Sequence, residues 1–450
     1  MKITLIGAAG VRTPLLVHGL AEAATGTDLK ELALWDVDPE RLSIVKRVAD
    51  AMAKRSNLRA QLTAETRVEA ALEGASYVIT SIRVGGIDAR IKDETIALAH
   101  GLVGQETVGA GGFACAMRNL GAMLEYARIV ERVAPRATII NFTNPVGIIS
   151  QGVLNHSGAR IIGVCDTPLE TFEAIAGALR QNPFELKFDY LGLNHLGWVR
   201  SIRDSNGKDL LPKVLSSREL IAKCYRHQLF PVDFIQQLRL LPTEYLYFYY
   251  YTEAALRNTR NSGNSRGQAV ASMNQSLFRR LVTAGESELI PIYEGYLRER
   301  NASYFSIEAT AGQKREDRNL YSDFSGYERI ALLVLQALNS QQPRVIPLTT
   351  RNENALQDLD TNDAVELPCE VSVAGVKPLA VGRAPDQVRE LLLRVKEYER
   401  LTVKARVEHS RDAAVAALVN NPLVAKPDAA RGVLADYIEA FGAQMSLNGN

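Results

Sequence analysis

Two short stretches of this sequence set down residue types that can do chemistry. In "IIGVCDTPLE", residues 161 to 170, a β-branched apolar run ends and delivers a thiol, Cys165, and a carboxylate, Asp166, side by side. A thiolate is a nucleophile and a soft metal ligand, and a carboxylate beside it can hold or move a proton. The plainer reading is a buried small hydrophobe followed by a helix, with Asp166 or Thr167 as N-cap and Pro168 in the first turn. In "GAAGVRTP", Gly7 to Pro14, a glycine turn follows an apolar run and opens a helical pattern. It is an incomplete GxGxxG, because Ala9 stands where the second glycine belongs. Its context compensates. Asp36 ends the next apolar run, 26 residues after Gly10, where a carboxylate can accept from a ribose 2′-OH and repel a 2′-phosphate. Gly7, Gly10, Val11, Arg12 and Asp36 are therefore expected to bind a dinucleotide, NAD rather than NADP. The alternative is a glycine turn in a sheet that binds no nucleotide.

The elements that must position these groups are legible as an alternation. "KITLIG" (2 to 7), "LALWDVD" (32 to 38), "SYVITSIR" (76 to 83), "ATIINFTN" (137 to 144) and "ARIIGVCD" (159 to 166) read as buried parallel strands. Helical periodicity separates them in "TPLLVHGLAEAA", "PERLSIVKRVADAMAKR" and "CAMRNLGAMLEYARIVERV". This is a βαβ series, and it predicts a Rossmann-like, doubly wound parallel sheet. Such sheets bind ligands beyond the carboxyl ends of their strands, and the residues singled out above sit there. From residue 185 the pattern turns mixed. "FDYLGLNHLGWVRSIRD" reads as strand and hairpin with a turn at "DSNGKD", and 213 to 300 as mainly helical. "NALQDLDTNDAVELPCEVSVAGVKPLAVG" alternates like an antiparallel hairpin, and 385 to 440 is helical again. The expected division is a dinucleotide domain over 1–167 and an α+β domain over 168–450, packed on the first.

Bulk properties narrow the function class. The 450 residues carry 52 basic and 51 acidic side chains, which gives no electrostatic case for nucleic acid or an anionic membrane. No apolar run reaches membrane-spanning length, and the first apolar run reads as a strand rather than a signal peptide. The four cysteines are far apart and lack CxxC spacing, as expected for a reducing cytoplasm.

Further stretches are more specific: "RVGGIDARIKDE" (83 to 94), "GLVGQETVGAGGF" (101 to 113), "NFTNPVG" (141 to 147), "VCDTP" (164 to 168), "GLNHLGW" (192 to 198), "LPTEYLYFYYY" (241 to 251) and "VELPCEV" near the C-terminal end. In this order they resemble glycoside hydrolase family 4, which contains the NAD- and metal-dependent 6-phospho-glucosidases. The "GQETxGxGGF" block looks most like the 6-phospho-β-glucosidase branch. The family stands apart from two-carboxylate glycosidase chemistry.

The resemblance implies roles residue by residue. Cys165 and His195, 30 residues apart, match the family's metal ligands. A sulfur–nitrogen pair suits zinc or iron better than manganese, yet the family uses Mn²⁺, with substrate oxygens completing the coordination. Taken alone, His195 reads as a loop histidine. Asp166 matches the acid that protonates the departing sugar oxygen; many 6-phospho-β-glucosidases carry asparagine there, so the α or β preference stays open. Tyr245 matches the base, and a neighbouring divalent cation would favour its phenolate. Tyr247, Tyr249, Tyr250 and Tyr251 are assigned to packing. Arg266 aligns with a contact to the substrate 6-phosphate, a task for a planar fork, although alone it reads as a surface arginine. Arg90 and Asn144 match further substrate contacts, and Arg83 a cofactor contact. One departure stands out: "NASYFS" (301 to 306) replaces a "GGAxYS"-like stretch and would reshape the sugar pocket. The implied reaction is hydrolysis by oxidation at C3, elimination, water addition and reduction, in a cytoplasmic homodimer or homotetramer. The rivals are an α-acting or unphosphorylated-sugar relative, an NAD-dependent 2-hydroxy-acid dehydrogenase and a non-enzymatic NAD sensor.

Overall fold

Six short apolar runs pair side by side: β1 (Lys2–Ile6), β2 (Glu31–Trp35), β3 (Gln61–Ala64), β4 (Tyr77–Thr80), β5 (Thr138–Asn141) and β6 (Arg160–Gly163). In the computed structural model, which describes residues 1–23, 28–225, 227–303, 307–308 and 327–447, they run parallel in the order β3-β2-β1-β4-β5-β6. That is the order of a doubly wound dinucleotide sheet, with its switch point between β1 and β4. Five of these strands are the predicted ones. β3 escaped because "QLTA" carries no apolar run and is half-exposed on both faces.

The sheet does not stop at β6. It continues through β10 (Arg344–Arg351), β11 (Ala364–Ser372), β7 (Lys187–Leu193), β8 (Leu196–Arg203) and β9 (Leu241–Pro242), with β12 (Gly375–Pro378) paired on β11. The predicted hairpins are β7–β8 and β11–β12, both antiparallel. β10 was not predicted: Pro347 interrupts it, and Pro347 lies opposite Pro368 of β11. Two joints are narrow. β6 meets β10 at the single pair Gly163–Thr349, and β11 meets β7 at Glu366–Gly192.

Helices cover both faces, which is why the parallel strands are apolar throughout. On one face the helix Gly109–Val133 buries Phe113, Met117 and Leu120 beside Leu392 and Val395 of the helix Asp386–Val407. On the other, Val17, Leu34 and Met52 share a core with Met273, Leu277, Tyr293 and Val334 from the helices Arg266–Thr283, Glu286–Ala302 and Tyr327–Leu338. The second half of the chain thus completes the core of the first. Among the described residues no helix is long and apolar enough to cross a membrane.

Candidate active site

At the end of β1 the chain turns through Gly7, whose φ is +90°. A Cβ there would lie 2.3 Å from the Ser81 carbonyl oxygen beyond β4, so backbone conformation and space both demand glycine. Asp36, directly after β2, accepts from the backbone N–H of Ala9 at 2.9 Å and of Asp38 at 3.0 Å. Burial pushes its carboxyl up, against those two bonds. Ala9 is thereby held by its N–H where the motif has its second glycine. Gly10 donates to the Gly7 carbonyl at 3.2 Å. The Val11 carbonyl accepts from Tyr293 Oη at 2.8 Å, and Arg12 lies 3.5 Å from the buried Glu328 carboxylate. The loop is fixed by helices from the second half of the chain.

A cluster of arginines stands beyond β4. Arg83, in the loop after that strand, pairs with Glu106 and brings Nη1 within 4.0 Å of Cys115 Sγ. Arg90, on the helix Gly86–Ala99, is buried and doubly paired: Nη1 with Glu106 and Nε with Glu94, each at 2.8 Å. Burial pushes the Glu106 carboxyl up, but the guanidiniums of Arg83, Arg90 and Arg300 together hold it below the usual range. Arg266 opens its helix behind the N-cap Ser265, and its Nη1 donates to Ser303 Oγ at 2.8 Å. Burial and the nearness of Arg90 and Arg300 lower its pKa. Glu94 ties the two helices by accepting from the Gly267 N–H at 2.6 Å. Arg83, Arg90 and Arg266, predicted for two different tasks, therefore belong to one cluster. Arg300 joins them with no signal in the sequence. In the departing stretch, Asn301 to Ser303 extend the helix end, and 304 to 306 lie outside the described residues.

A second cluster lies where β6, β11 and the β7–β8 hairpin meet. Cys165 is buried, and its Sγ lies 3.4 Å from Thr167 Oγ1. Asp166 holds the N-cap position of the helix Thr167–Leu179, but its side chain makes no capping bond. The plainer reading holds for its position and for Pro168 in the first turn, but the capping bond itself is not made. Burial, Glu366 and Asp166 all push the Cys165 thiol up. Buried Glu366 accepts from Tyr190 Oη at 2.6 Å and Asn194 Nδ2 at 3.3 Å, and burial raises its pKa to about 7. Asn144, at the end of β5, precedes a cis peptide to Pro145, and its carbonyl accepts from Asn119 Nδ2 at 2.8 Å.

His195 forms the hairpin tip with φ +63°, uncommon outside glycine. Its tautomer follows from its neighbours. Thr107 Oγ1 has one proton and gives it to Gln105 Oε1 at 2.9 Å, so at 3.2 Å it accepts from His195 Nδ1–H. Nε2 is left with its lone pair. Burial lowers the His195 pKa to about 3, keeping the ring neutral. The ring lies flat on Tyr245, centroids 3.7 Å apart and planes 2° from parallel. The other tyrosines pack as expected. Tyr247 stacks on Tyr251, and Tyr250 accepts from Trp198 Nε1 at 3.1 Å.

Among the described residues no three His, Cys, Asp or Glu side chains form a ready-made metal cage. A buried thiol and an imidazole with a free lone pair nevertheless suit a divalent ion that takes its remaining ligands from substrate. A cleft of about 890 Å³ lies beside the helix Leu246–Tyr250, lined by Phe230, Tyr247, Tyr251, Asn258 and Glu308 among others, while Cys165 and His195 stand apart from it.

The sequence matches two family descriptions, Family 4 glycosyl hydrolase over residues 2–181 and Family 4 glycosyl hydrolase C-terminal domain over residues 190–424. The chain belongs to this family. It is 30% identical over 441 residues to a 6-phospho-beta-glucosidase of Thermotoga maritima, covering 98% of each chain. It is 29% identical over 458 residues to a phospho-alpha-glucosidase of Clostridium acetobutylicum, covering 98% of this chain and 97% of that one. The Thermotoga enzyme solved with manganese, NAD⁺ and glucose-6-phosphate superposes with a TM-score of 0.81 at 28% identity, over 98% of each chain. Lactate dehydrogenase from Eimeria maxima shares the fold alone, at 14% identity and TM-score 0.51 over 90% of this chain and 95% of that one. The predicted family and fold are thus borne out. Thr107, Glu106 and Glu366 lie within the quoted motifs, but no task for them is legible there. Glu366 carries the clearest signal, a carboxylate between Val365 and Leu367 in an apolar run.

Proposed function

We propose that this chain hydrolyses 6-phospho-β-glucosides with NAD⁺ and a divalent metal, Mn²⁺ by likeness to the solved relative. The observation that carries the reading is the flat stack of Tyr245 on His195. It sets a base candidate against a metal-ligand candidate whose lone pair is already presented. NAD⁺ would supply a hydride acceptor and donor for the sugar, and a divalent metal would supply Lewis acidity. Gly7, Gly10, Val11, Arg12 and Asp36 bind the dinucleotide, and Cys165 and His195 hold the metal. Tyr245 removes the C2 proton once the C3 ketone has acidified it. Asp166, free of capping duty, gives a proton to the departing glycosidic oxygen, and water then adds to the unsaturated ketone that the elimination leaves. Arg266 and its neighbours bind the 6-phosphate, with Arg90 and Asn144 orienting the sugar; Arg83, predicted for the cofactor, sides with this cluster through Glu106. Residues 1–167 carry the cofactor and 168–450 the substrate half, in a cytoplasmic homodimer or homotetramer.

Identity alone does not choose the anomer, since the β- and α-acting relatives match almost equally. The test is cleavage of 4-nitrophenyl 6-phospho-β-glucoside under reducing conditions, with and without NAD⁺ and Mn²⁺, beside its α-anomer and the unphosphorylated β-glucoside. Cleavage of the first alone, requiring both additives and leaving no net NADH, supports the reading. Cleavage of the α-anomer alone moves the specificity to the α side. Net NADH without cleavage overturns it in favour of a dehydrogenase.

A further inference from the structure

We infer that Glu366 is the positioning residue that sets the Asn194–His195 hairpin tip against Cys165; the inference rests on the metal reading above. Backbone bonds hold this tip to β9 and Thr243, but toward β11 they tie it at one point only. The β7–β8 hairpin joins the sheet through the single pair Glu366–Gly192, and β6, which leads to Cys165, joins β10 through the single pair Gly163–Thr349. With Thr349 paired to Glu366, these residues form one row across β6, β10, β11 and β7. Glu366 is the member of that row whose side chain reaches into the hairpin, and it reaches twice. One oxygen accepts from Tyr190 Oη at 2.6 Å on the strand before the tip, the other from Asn194 Nδ2 at 3.3 Å at the tip itself. Two anchor points define a direction where one defines only a pivot. His195 follows Asn194 directly, so the aim of its Nε2 is set by this clamp together with Thr107.

Space has been reserved for it. A Cβ on Gly197 would lie 1.9 Å from Tyr190 Oη, so glycine at that position lets the hydroxyl reach Glu366. On the far side, the same row runs through Thr349 to Gly163, two residues before Cys165. Glu366 thus stands in the row that joins the strand leading to the thiol with the hairpin that carries the imidazole. Partners that orient metal ligands typically change metal affinity about 10- to 100-fold when removed.

The test uses the full chain in reducing buffer. Mn²⁺ affinity is read from the electron paramagnetic resonance of free Mn²⁺, and ligand geometry from the thiolate-to-metal charge-transfer band of the Co²⁺-loaded protein. NAD⁺ affinity serves as the control. Glu366→Leu is expected to weaken Mn²⁺ binding by about 10- to 100-fold and to diminish the Co²⁺ band, with NAD⁺ affinity unchanged. Glu366→Gln keeps an acceptor for Asn194 and a donor toward Tyr190, and is expected to recover most of that loss. Wild-type Mn²⁺ affinity and an unaltered band in Glu366→Leu overturn the proposal. So do equal losses in the Leu and Gln variants, because charge and not the hydrogen-bonded span would then matter. If Glu366→Leu does not fold, Tyr190→Phe decides: weaker Mn²⁺ binding supports the clamp, and wild-type affinity overturns it. Cys165→Ser separates the two readings. Loss of the band there, with the band retained in Glu366→Leu, sinks the positioning role alone. An unaltered band in Cys165→Ser sinks the metal reading and this proposal with it.

Discussion

Two charge environments of opposite kind stand beyond β4 and β6, two strands apart in the sheet. In one, four guanidiniums from Arg83, Arg90, Arg266 and Arg300 surround Glu106, with Glu94 and Glu308 nearby. In the other, Cys165, Asp166 and Glu366 gather, and the two charges that act most on the thiol are both negative. His195 lies between them: it feels Glu106 on one side and follows Asn194, which holds Glu366, on the other. On the proposed function the contrast sorts ligands by sign. A phosphate is drawn to the guanidinium side and a divalent cation to the thiol side.

The sharpest way to break this contrast is to disable the cation side. His195→Ala is expected to lower kcat/KM for the phosphorylated substrate on the order of 1000-fold. That is the consequence of losing several kcal/mol of Lewis-acid stabilisation, at about 1.4 kcal/mol per factor of ten. NAD⁺ affinity should hold, because the glycine loop and Asp36 are anchored independently of the hairpin. Steady-state hydrolysis and a direct NAD⁺ titration check both halves. A variant with wild-type kcat/KM would remove His195 from the chemistry.

The guanidinium side can be broken by removing its central anion. Glu106→Gln removes the carboxylate that Arg83 and buried Arg90 share, while Arg90 keeps Glu94, and the loss of these charged hydrogen bonds is expected to cost roughly 2 kcal/mol at neutral pH. The pH dependence has a definite sign. The folded carboxyl lies below its reference value of 4.5, so its ionisation stabilises the fold fully above pH 4.5. That contribution disappears as pH falls through the lower folded value. Melting curves of the two proteins should therefore differ most at neutral pH and converge in acid. A gap that widens on acidification would contradict the assignment.

Much of this was readable before any coordinates, and the exceptions have physical causes. The strands β1, β2, β4, β5 and β6 announce themselves because burial on both faces demands continuous apolar runs. β3 and β10 do not, one being half-exposed and the other broken by Pro347. Cys165, Asp166 and the glycine loop stand out because their chemistry is local to one strand end. Glu106, Arg300 and Glu366 act through partners far along the chain, Arg300 toward Glu106 and Glu366 toward Tyr190, and no spacing rule reports such meetings. The packing of the two halves is likewise invisible locally: Tyr293 reaches the Val11 carbonyl across 282 residues.

A gentler test separates phosphate recognition from catalysis. Arg266→Ala is expected to raise KM for the 6-phosphorylated substrate by about 10- to 100-fold, the worth of a hydrogen bond to a charged group. Activity on an unphosphorylated glucoside, however low, should not fall. Arg266→Lys should recover only part of the loss, because an ammonium lacks the planar fork. Equal effects on both substrates would move Arg266 from phosphate recognition to support of the helix it opens.

The smallest expected effect tests where the active region ends. Tyr245 stacks on His195, whereas Tyr250, five residues on, accepts from Trp198 Nε1 at 3.1 Å and packs on Phe234 with centroids 4.9 Å apart. If this segment contributes chemistry only through Tyr245, the N-cap of the helix Leu246–Tyr250, then Tyr250→Phe removes one hydrogen bond and nothing else. The indole N–H loses its acceptor, at a cost of about 1 kcal/mol, while the ring contacts stay. For a chain of this size that is a drop of a few degrees at most in melting temperature. Both kcat and KM should match the wild type with either additive limiting. A changed kcat at unchanged stability would extend the catalytic surface along the helix toward the aromatic cleft. The sharp boundary drawn here between Tyr245 and its neighbours would then have to move.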